Sequence, residues 1–375
     1  MQVPLVDLRA QYITIKNEID EAISNVISNG DFILGSEVKH FEEEIAAYCD
    51  ASHAVGVASG TDALNLALLA CGVGRGDEVI TTPFTFIATA EAITKCGAIP
   101  VFVDIDPKTY NIDPQNIESK ITDKTKVILP VHLYGQPANM HHILELAKKY
   151  NLKVVEDCAQ ALGAKYNGRR VGSLGDVGCL SFYPSKVLGA YGDGGVVLTN
   201  NAEIAESINI LRNHGCKHKY YHLIHGFNSR LDSLQAAILR VKLRHLDNWI
   251  TQRRENASRY SELISEVEGV EPLSILLGGY HVFNYYTIRI EGTAANRDEL
   301  QQHLNSQGIA TAIYYPVSLH LQPVYEYLGY QQGDLPESER AQQEVLSLPM
   351  FPELQPAQIM RIVEITKRVL NRVAK

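Results

Sequence analysis

From His53 onward, short apolar strands alternate with helical stretches, and this alternation restricts the chain to an α/β architecture. Ala54-Val55-Gly56-Val57 precedes a turn and a helix over 62–71, and Glu78-Val79-Ile80-Thr81 precedes a turn and a helix over 88–96. Further strands are expected at 100–103, 127–131, 153–156, 178–181 and 196–198. Most are short, apolar and rich in Val or Ile, as strands are when helices cover both faces of a sheet. The last two are joined by a glycine-rich connection rather than a helix. Ligands of such sheets bind beyond the carboxyl ends of the strands, so the turns there are where chemistry is expected.

Outside this alternation the sequence predicts amphipathic helices over 14–29 and 36–48, the second with Ser36 as N-cap. Residues 229–265 read as one long helix bridging two domains, with Leu231, Leu234, Ala237, Ile238, Val241, Leu243 and Leu246 forming much of its apolar pattern. After Gly269 come a strand at 285–290, a helix at 297–307, a strand at 310–314 and a last helix from Pro356, a smaller α+β domain. The division is placed at 1–248 for the large domain and 249–375 for the small one, to which an N-terminal segment can also contribute. A length of 375 residues accommodates two such units at roughly 150 residues each.

A net charge of -9 argues against a general nucleic-acid binder but leaves room for a local basic pocket. The six cysteines form no CxxC pair and sit among apolar or small residues, which fits free thiols in a reducing compartment. The first seven residues lack the basic and apolar regions of a signal peptide, and no apolar run approaches the ~20 residues of a membrane span. A cytoplasmic protein with no membrane partner is expected. His132, His214 and His320 are dispersed and no HExxH pattern exists, so no metal site is expected.

Four segments carry candidate chemistry. Cys179-Leu180-Ser181-Phe182-Tyr183-Pro184-Ser185-Lys186 ends an apolar run in one lysine, with no carboxylate within six residues on either side. Partial burial would lower the pKa of that amine, as a Schiff-base lysine requires, although an exposed turn lysine has the same local sequence. Ser59-Gly60-Thr61-Asp62 between strand and helix offers backbone N–H groups to an anion, or is a plain turn with an N-cap. Glu156-Asp157-Cys158-Ala159-Gln160 places carboxylates at a strand end, where one could pair with a protonated heterocycle or simply cap a helix. Thr82-Pro83-Phe84-Thr85-Phe86 supplies an aromatic that could cover a planar ring or pack in the core.

The order of these segments, a phosphate turn, an aromatic, a strand-end aspartate and a turn lysine, resembles fold-type I pyridoxal-phosphate enzymes. Gly30-Asp31-Phe32-Ile33-Leu34-Gly35, 58–64, Gly76-Asp77-Glu78-Val79-Ile80-Thr81, 156–160, 181–186 and Gly226-Phe227-Asn228-Ser229-Arg230-Leu231-Asp232 together resemble the DegT/DnrJ/EryC1/StrS family of nucleotide-sugar aminotransferases. The resemblance implies pyridoxal 5'-phosphate held by Lys186 as an internal aldimine, with Lys186 later moving the proton. It implies Asp157 at the pyridinium nitrogen, Gln160 at the phenolic oxygen, Phe86 stacked on the ring, and Gly60, Thr61 and Ser181 at the phosphate. Asn228 would reach the phosphate of a neighbouring subunit, which implies a homodimer with shared active sites.

The likeness extends to substrate. Val131-His132-Leu133-Tyr134-Gly135-Gln136-Pro137 and 314–322 are similar to members that aminate C3 of dTDP-linked 3-keto-6-deoxyhexoses, with L-glutamate as donor and 2-oxoglutarate as product. Tyr183, Lys219, Arg230, Tyr314 and His320 are the expected sugar or diphosphate contacts, each with a packing or surface role as the alternative. A 4-keto sugar or a UDP-2-acetamido-3-keto sugar is the alternative substrate, and a non-enzymatic regulatory protein the alternative class. Relatives that dehydrate sugars carry histidine in place of the lysine, and Lys186 argues against that branch.

Overall fold

The computed structural model describes residues 2–292 and 294–373. Seven strands form the central sheet: β1 His53–Val57, β2 Glu78–Thr81, β3 Ile99–Phe102, β4 Thr125–Ile128, β5 Lys153–Asp157, β6 Val177–Ser181 and β7 Gly195–Thr199. Their order is β1-β7-β6-β5-β4-β2-β3. Every pairing is parallel except those of β7, which runs antiparallel to both β1 and β6. The reversal follows from the connection: residues 182–194 contain no helix to carry the chain back across the sheet, so the next strand returns in the opposite sense. Strands β1, β2, β5 and β6 therefore all end at the same edge.

Helices cover both faces. Among them are α1 Leu8–Asn29, α2 Ser36–Tyr48, α3 Gly60–Ala70, α4 Ala88–Lys95, α5 Met140–Tyr150, α6 Ala202–Arg212 and α7 Ser233–Ile264. One apolar cluster on the sheet joins Val57, Leu64, Val79, Val155, Val177 and Val197 with Ile208, and a second joins Phe41, Leu180, Phe182 and Leu198 with Leu239 and Leu246. A smaller antiparallel sheet, β8 Val270–Pro272, β9 Tyr286–Ile290 and β10 Val345–Leu348, packs with α8 Ala294–Ser306 and α9 Pro356–Val373. Helix α7 belongs to both bodies. Leu239, Leu246 and Ile250 pack with the large sheet, whereas Ala257, Tyr260 and Ile264 pack with the small one, as does Val3.

Several boundaries differ from the sequence reading for local reasons. Helix α1 starts at Leu8 rather than at 14, because the Asp7 carboxylate caps it by accepting from the Ala10 N–H at 2.8 Å. Gly35, not Ser36, is the N-cap of α2, and Asp31 accepts the Ser36 N–H at 3.1 Å. Strand β4 ends at Ile128, since Pro130 has no N–H for the ladder, and Val131 makes only an isolated bridge to Asp157. Residues 229–232 precede α7, which is capped by Asp232. No strand forms over 310–314; Ala312 makes a single bridge to Ser347, and the fully buried Val345-Leu346-Ser347-Leu348 takes the sheet position. The displaced segment instead supplies Ile313, Tyr314 and Tyr315 to a cavity wall.

Candidate active site

Beyond the carboxyl ends of β1, β2, β5 and β6 lies a cavity of about 590 Å³. Its lining brings together Gly60, Thr61, Phe86, Asp157, Gln160, Ser181, Tyr183, Lys186 and Tyr314, residues spread over more than 250 positions of sequence.

At the end of β1, the Ser59 hydroxyl caps α3 by accepting the Asp62 N–H at 3.1 Å. The N–H groups of Gly60 and Thr61 are left at the positive end of the helix. A Cβ on Gly60 would fall 2.5 Å from Ser181 Cβ, so glycine is what lets Ser181 stand beside this helix end. The Asp62 carboxylate, which would oppose an anion there, instead accepts from the Ser229 hydroxyl at 2.8 Å.

Asp157 closes β5 and is 5% exposed. Its Oδ2 accepts from the Thr89 hydroxyl at 2.8 Å and its Oδ1 from the Ala159 N–H at 3.1 Å. Burial pushes its carboxyl pKa up, against the opposing pull of those two donors, Lys186 and His132. Lys186 faces the same space from the turn after β6. Desolvation lowers its amine from the usual 10.5 to about 8, with the Asp157 charge opposing the shift. Gln160 is fixed at both ends of its amide: Oε1 accepts from the Tyr134 N–H at 2.7 Å and Nε2 donates to the Tyr315 hydroxyl at 2.9 Å.

Phe86 is 56% and Tyr183 55% exposed, both at the cavity wall. Four expected site residues lie elsewhere. Asn228 and Lys219 are exposed outside their own chain's cavity, and Arg230 donates to Asn213 Oδ1 at 3.0 Å. The His320 side chain is fully buried; its Nε2 meets Glu339 Oε1 at 3.1 Å and its ring packs 6.1 Å from Tyr330. That contact with Glu339 turns His320 away from the cavity, so it is not a sugar contact within its own subunit.

The sequence reading did not single out Thr89, Ser185, Tyr285, Ile313 and Tyr315, which also line the cavity. Thr89 stands three residues after Phe86 on the first turn of α4, a spacing that returns it to the same side of the chain. Tyr285 packs against Tyr314 with ring centroids 4.3 Å apart and planes tilted by 31°, a long-range pairing with no local signature.

The structure does gather one cluster of possible metal ligands, His132, Glu156 and Cys158. Its imidazole and carboxylate atoms are already engaged. His132 Nδ1 accepts the Ala138 N–H at 2.9 Å, which leaves the proton on Nε2 to donate to Glu156 Oε2 at 2.9 Å. Three backbone N–H groups, of Gly172, Leu174 and Gly175, fill the rest of the carboxylate. This is a hydrogen-bonded brace beneath the cavity floor.

The DegT/DnrJ/EryC1/StrS aminotransferase family model matches residues 13–367. A "Pleiotropic regulatory protein" of Geobacillus stearothermophilus is 55% identical, over 97% of each chain. The UDP-N-acetyl-3-dehydro-alpha-D-glucosamine 3-aminotransferase of Acidithiobacillus ferrooxidans is 47% identical, over 98% of each. The dTDP-3-amino-3,6-dideoxy-alpha-D-galactopyranose transaminase of Aneurinibacillus thermoaerophilus is also 47% identical, over 98% of this chain and 99% of the relative. The crystal structure of S. venezuelae DesV in complex with a ketimine intermediate superposes with a TM-score of 0.95 at 44% identity, over 98% of both chains. With segments 58–64, 156–160 and 181–186 gathered around one cavity, the chain belongs to the DegT/DnrJ/EryC1/StrS aminotransferase family, a family of pyridoxal-phosphate-dependent enzymes.

Proposed function

We propose that this chain aminates C3 of a dTDP-linked 3-keto-6-deoxyhexose with L-glutamate as donor, using Lys186 as the cofactor-bearing amine. The observation that carries the reading is the pairing of a desolvated lysine amine with a buried, incompletely hydrogen-bonded aspartate in one cavity.

The residues present fit pyridoxal phosphate. The helix end at Gly60 and Thr61, with Ser181 beside it, would cradle the phosphate, and Asp157 would offer a carboxylate to the ring nitrogen. Phe86 would cover one ring face, and the Gln160 amide, held by Tyr134 and Tyr315, would address the phenolic oxygen. When bound, the cofactor supplies an electron sink for the carbanion formed at the carbon bearing the transferred nitrogen. Asp157 would keep the ring nitrogen protonated. Lys186 Nζ, with a pKa brought near 8, would take the α-carbon proton of the donor in the first half-reaction and, in the second, deliver a proton to C3 of the sugar. Tyr183 and Tyr314 border the sugar's space.

The reading includes a homodimer. Asn228 lies on a segment where Tyr220, Tyr221, Leu223, Ile224 and Phe227 are all exposed. A second copy covering this surface would receive Asn228 at its own phosphate cradle, and Lys219 and Arg230 would approach sugar diphosphate only across that interface.

Amination at C3 is supported by the names of both 47% relatives. The choice of dTDP rests on segments 131–137 and 314–322. A second reading, a UDP-2-acetamido-3-keto sugar, is favoured by the Acidithiobacillus relative. The test is a panel of dTDP-3-keto-6-deoxyglucose, its galacto epimer, the 4-keto isomer and the UDP sugar, scored by mass spectrometry. The expected outcome is the highest kcat/KM on a dTDP 3-keto compound. Conversion of the 4-keto isomer alone would overturn the regiochemistry, and preference for the UDP sugar would overturn the nucleotide. A cofactor absorbance unchanged by glutamate would favour a regulatory protein.

A further inference from the structure

The turn that presents Lys186 is gripped from behind by the helix that joins the two bodies. Within the turn, the Lys186 N–H donates to Tyr183 O at 2.9 Å and the Ala190 N–H to Phe182 O at 2.8 Å. Gly189 lies so close to Pro184 that a Cβ there would sit 2.2 Å from Pro184 O. Two side chains of α7 then hold its far end: Gln235 Oε1 accepts the Tyr191 N–H at 2.8 Å, and the Lys242 amine donates to Gly189 O. Seven residues separate Gln235 from Lys242, about two helical turns, so both project from one face.

Lys242 is an unusual residue for that position. It is 1% exposed, and its only hydrogen-bond partner among the described residues is the Gly189 carbonyl. The Tyr191 and Trp249 rings lie 5.0 and 6.0 Å from its nitrogen. Burial lowers its pKa to about 7, helped by Arg253 on the same helix and opposed by Glu353 from the segment before α9. A methionine would fill this volume without the desolvation cost of an ammonium, so packing alone does not explain a cation here.

We infer that Lys242, with Gln235, is a positioning residue that fixes the Lys186 turn and so sets where the Lys186 amine stands in the cavity. The inference rests on the reading of Lys186 as the cofactor-bearing amine. It also ties that amine to the junction of the two bodies, because Arg253 donates to Phe283 O and Met350 O of the small body while facing Lys242 and Glu353.

The test is attachment of pyridoxal phosphate to the full-length, cofactor-stripped protein, trapped with borohydride over time and located by peptide mass spectrometry. In the wild type the label is expected on Lys186; its absence there would overturn the lysine reading rather than the clamp. Lys242→Met is expected to slow labelling of Lys186 at least tenfold. Lys242→Gln, which keeps an N–H donor for Gly189 O without the charge, is expected to stay within about threefold of wild type. Equal rates in wild type and Lys242→Met, or equal slowing in Met and Gln variants of unchanged thermal stability, would overturn the clamp. Should Lys242→Met fail to fold, Gln235→Met carries the same expectation from the other grip, and an unchanged labelling rate in that variant would overturn the inference.

Discussion

Glu156 and Asp157 are neighbours at the end of one strand, both are buried carboxylates, and the chain treats them in opposite ways. Alternation along β5 sends them to opposite faces of the sheet. Glu156 receives four hydrogen bonds, from His132 Nε2 and the N–H groups of Gly172, Leu174 and Gly175. Asp157 receives two, from Thr89 and Ala159, and looks across a cavity at an amine. The saturated carboxylate is finished within the protein, whereas the other keeps acceptor capacity for something the chain itself does not supply. A buried charge left short of partners is costly unless a ligand completes it, which separates chemistry from scaffold more sharply than burial does.

The largest expected effect lies on the cavity side. Lys186→Ala removes both the attachment point and the proton carrier, and turnover should fall by more than about 10⁴-fold, since removing a residue central to covalent catalysis has effects of that order. Normal turnover by the purified variant without added amine would break the comparison outright. Asp157→Asn comes next. An amide cannot hold the ring nitrogen protonated, and a loss of about 10²–10³ in kcat is expected, in the range for removing one preorganised electrostatic partner. Steady-state kinetics on the cofactor-saturated variant measures it, and a change confined to KM would argue that Asp157 only shapes the cavity.

Glu156→Gln probes the other carboxylate. Its new NH₂ group would confront N–H donors already pointing at that position, so the expected cost is about 3–5 kcal/mol of stability, as for breaking a buried charge network. Equilibrium urea unfolding reads this, while the folded fraction should turn over at the wild-type order of magnitude. If kcat collapses and stability does not, the division between brace and chemistry is wrong.

Much of this was legible in the sequence because the decisive residues sit in turns after strands, where apolar runs stop and small residues begin. Lys186, Asp157, Gly60 and Ser181 each stand at such a stop, and the fold had only to bring the strand ends to one edge. The opposite fates of Glu156 and Asp157 were not legible, because three of the donors to Glu156 come from a loop 16 to 19 residues onward and the fourth, His132, from 24 residues before. Residues 310–314 read as a strand in the sequence. Cavity lining claimed those residues, and the more apolar Val345–Leu348 paired with Tyr286–Ile290. His320 reads like a substrate residue by motif, yet Glu339, nineteen positions on, holds it in the interior.

The finest test of the comparison is to change the donor count on Asp157 without touching its charge. Thr89→Val removes the hydroxyl at 2.8 Å from Oδ2 and leaves a side chain of nearly the same shape. The carboxylate then keeps only the Ala159 N–H from the protein. One such bond is worth about 0.5–1.5 kcal/mol, so kcat/KM should fall about two- to thirteenfold, and Thr89→Ser, which retains the donor, should recover most of it. The direction of the pH effect follows from the same bond. Burial already raises the Asp157 pKa and the Thr89 hydroxyl opposes that rise, so deleting the hydroxyl raises it further. Asp157 acts as an ionised carboxylate, and its contribution is lost as pH falls through its pKa. The acid limb of the kcat/KM profile should therefore move to higher pH in Thr89→Val and stay in place in Thr89→Ser. An acid limb shifted equally in both variants would mean that the hydroxyl only packs against Asp157, and the two carboxylates would then differ by their surroundings rather than by their donor count.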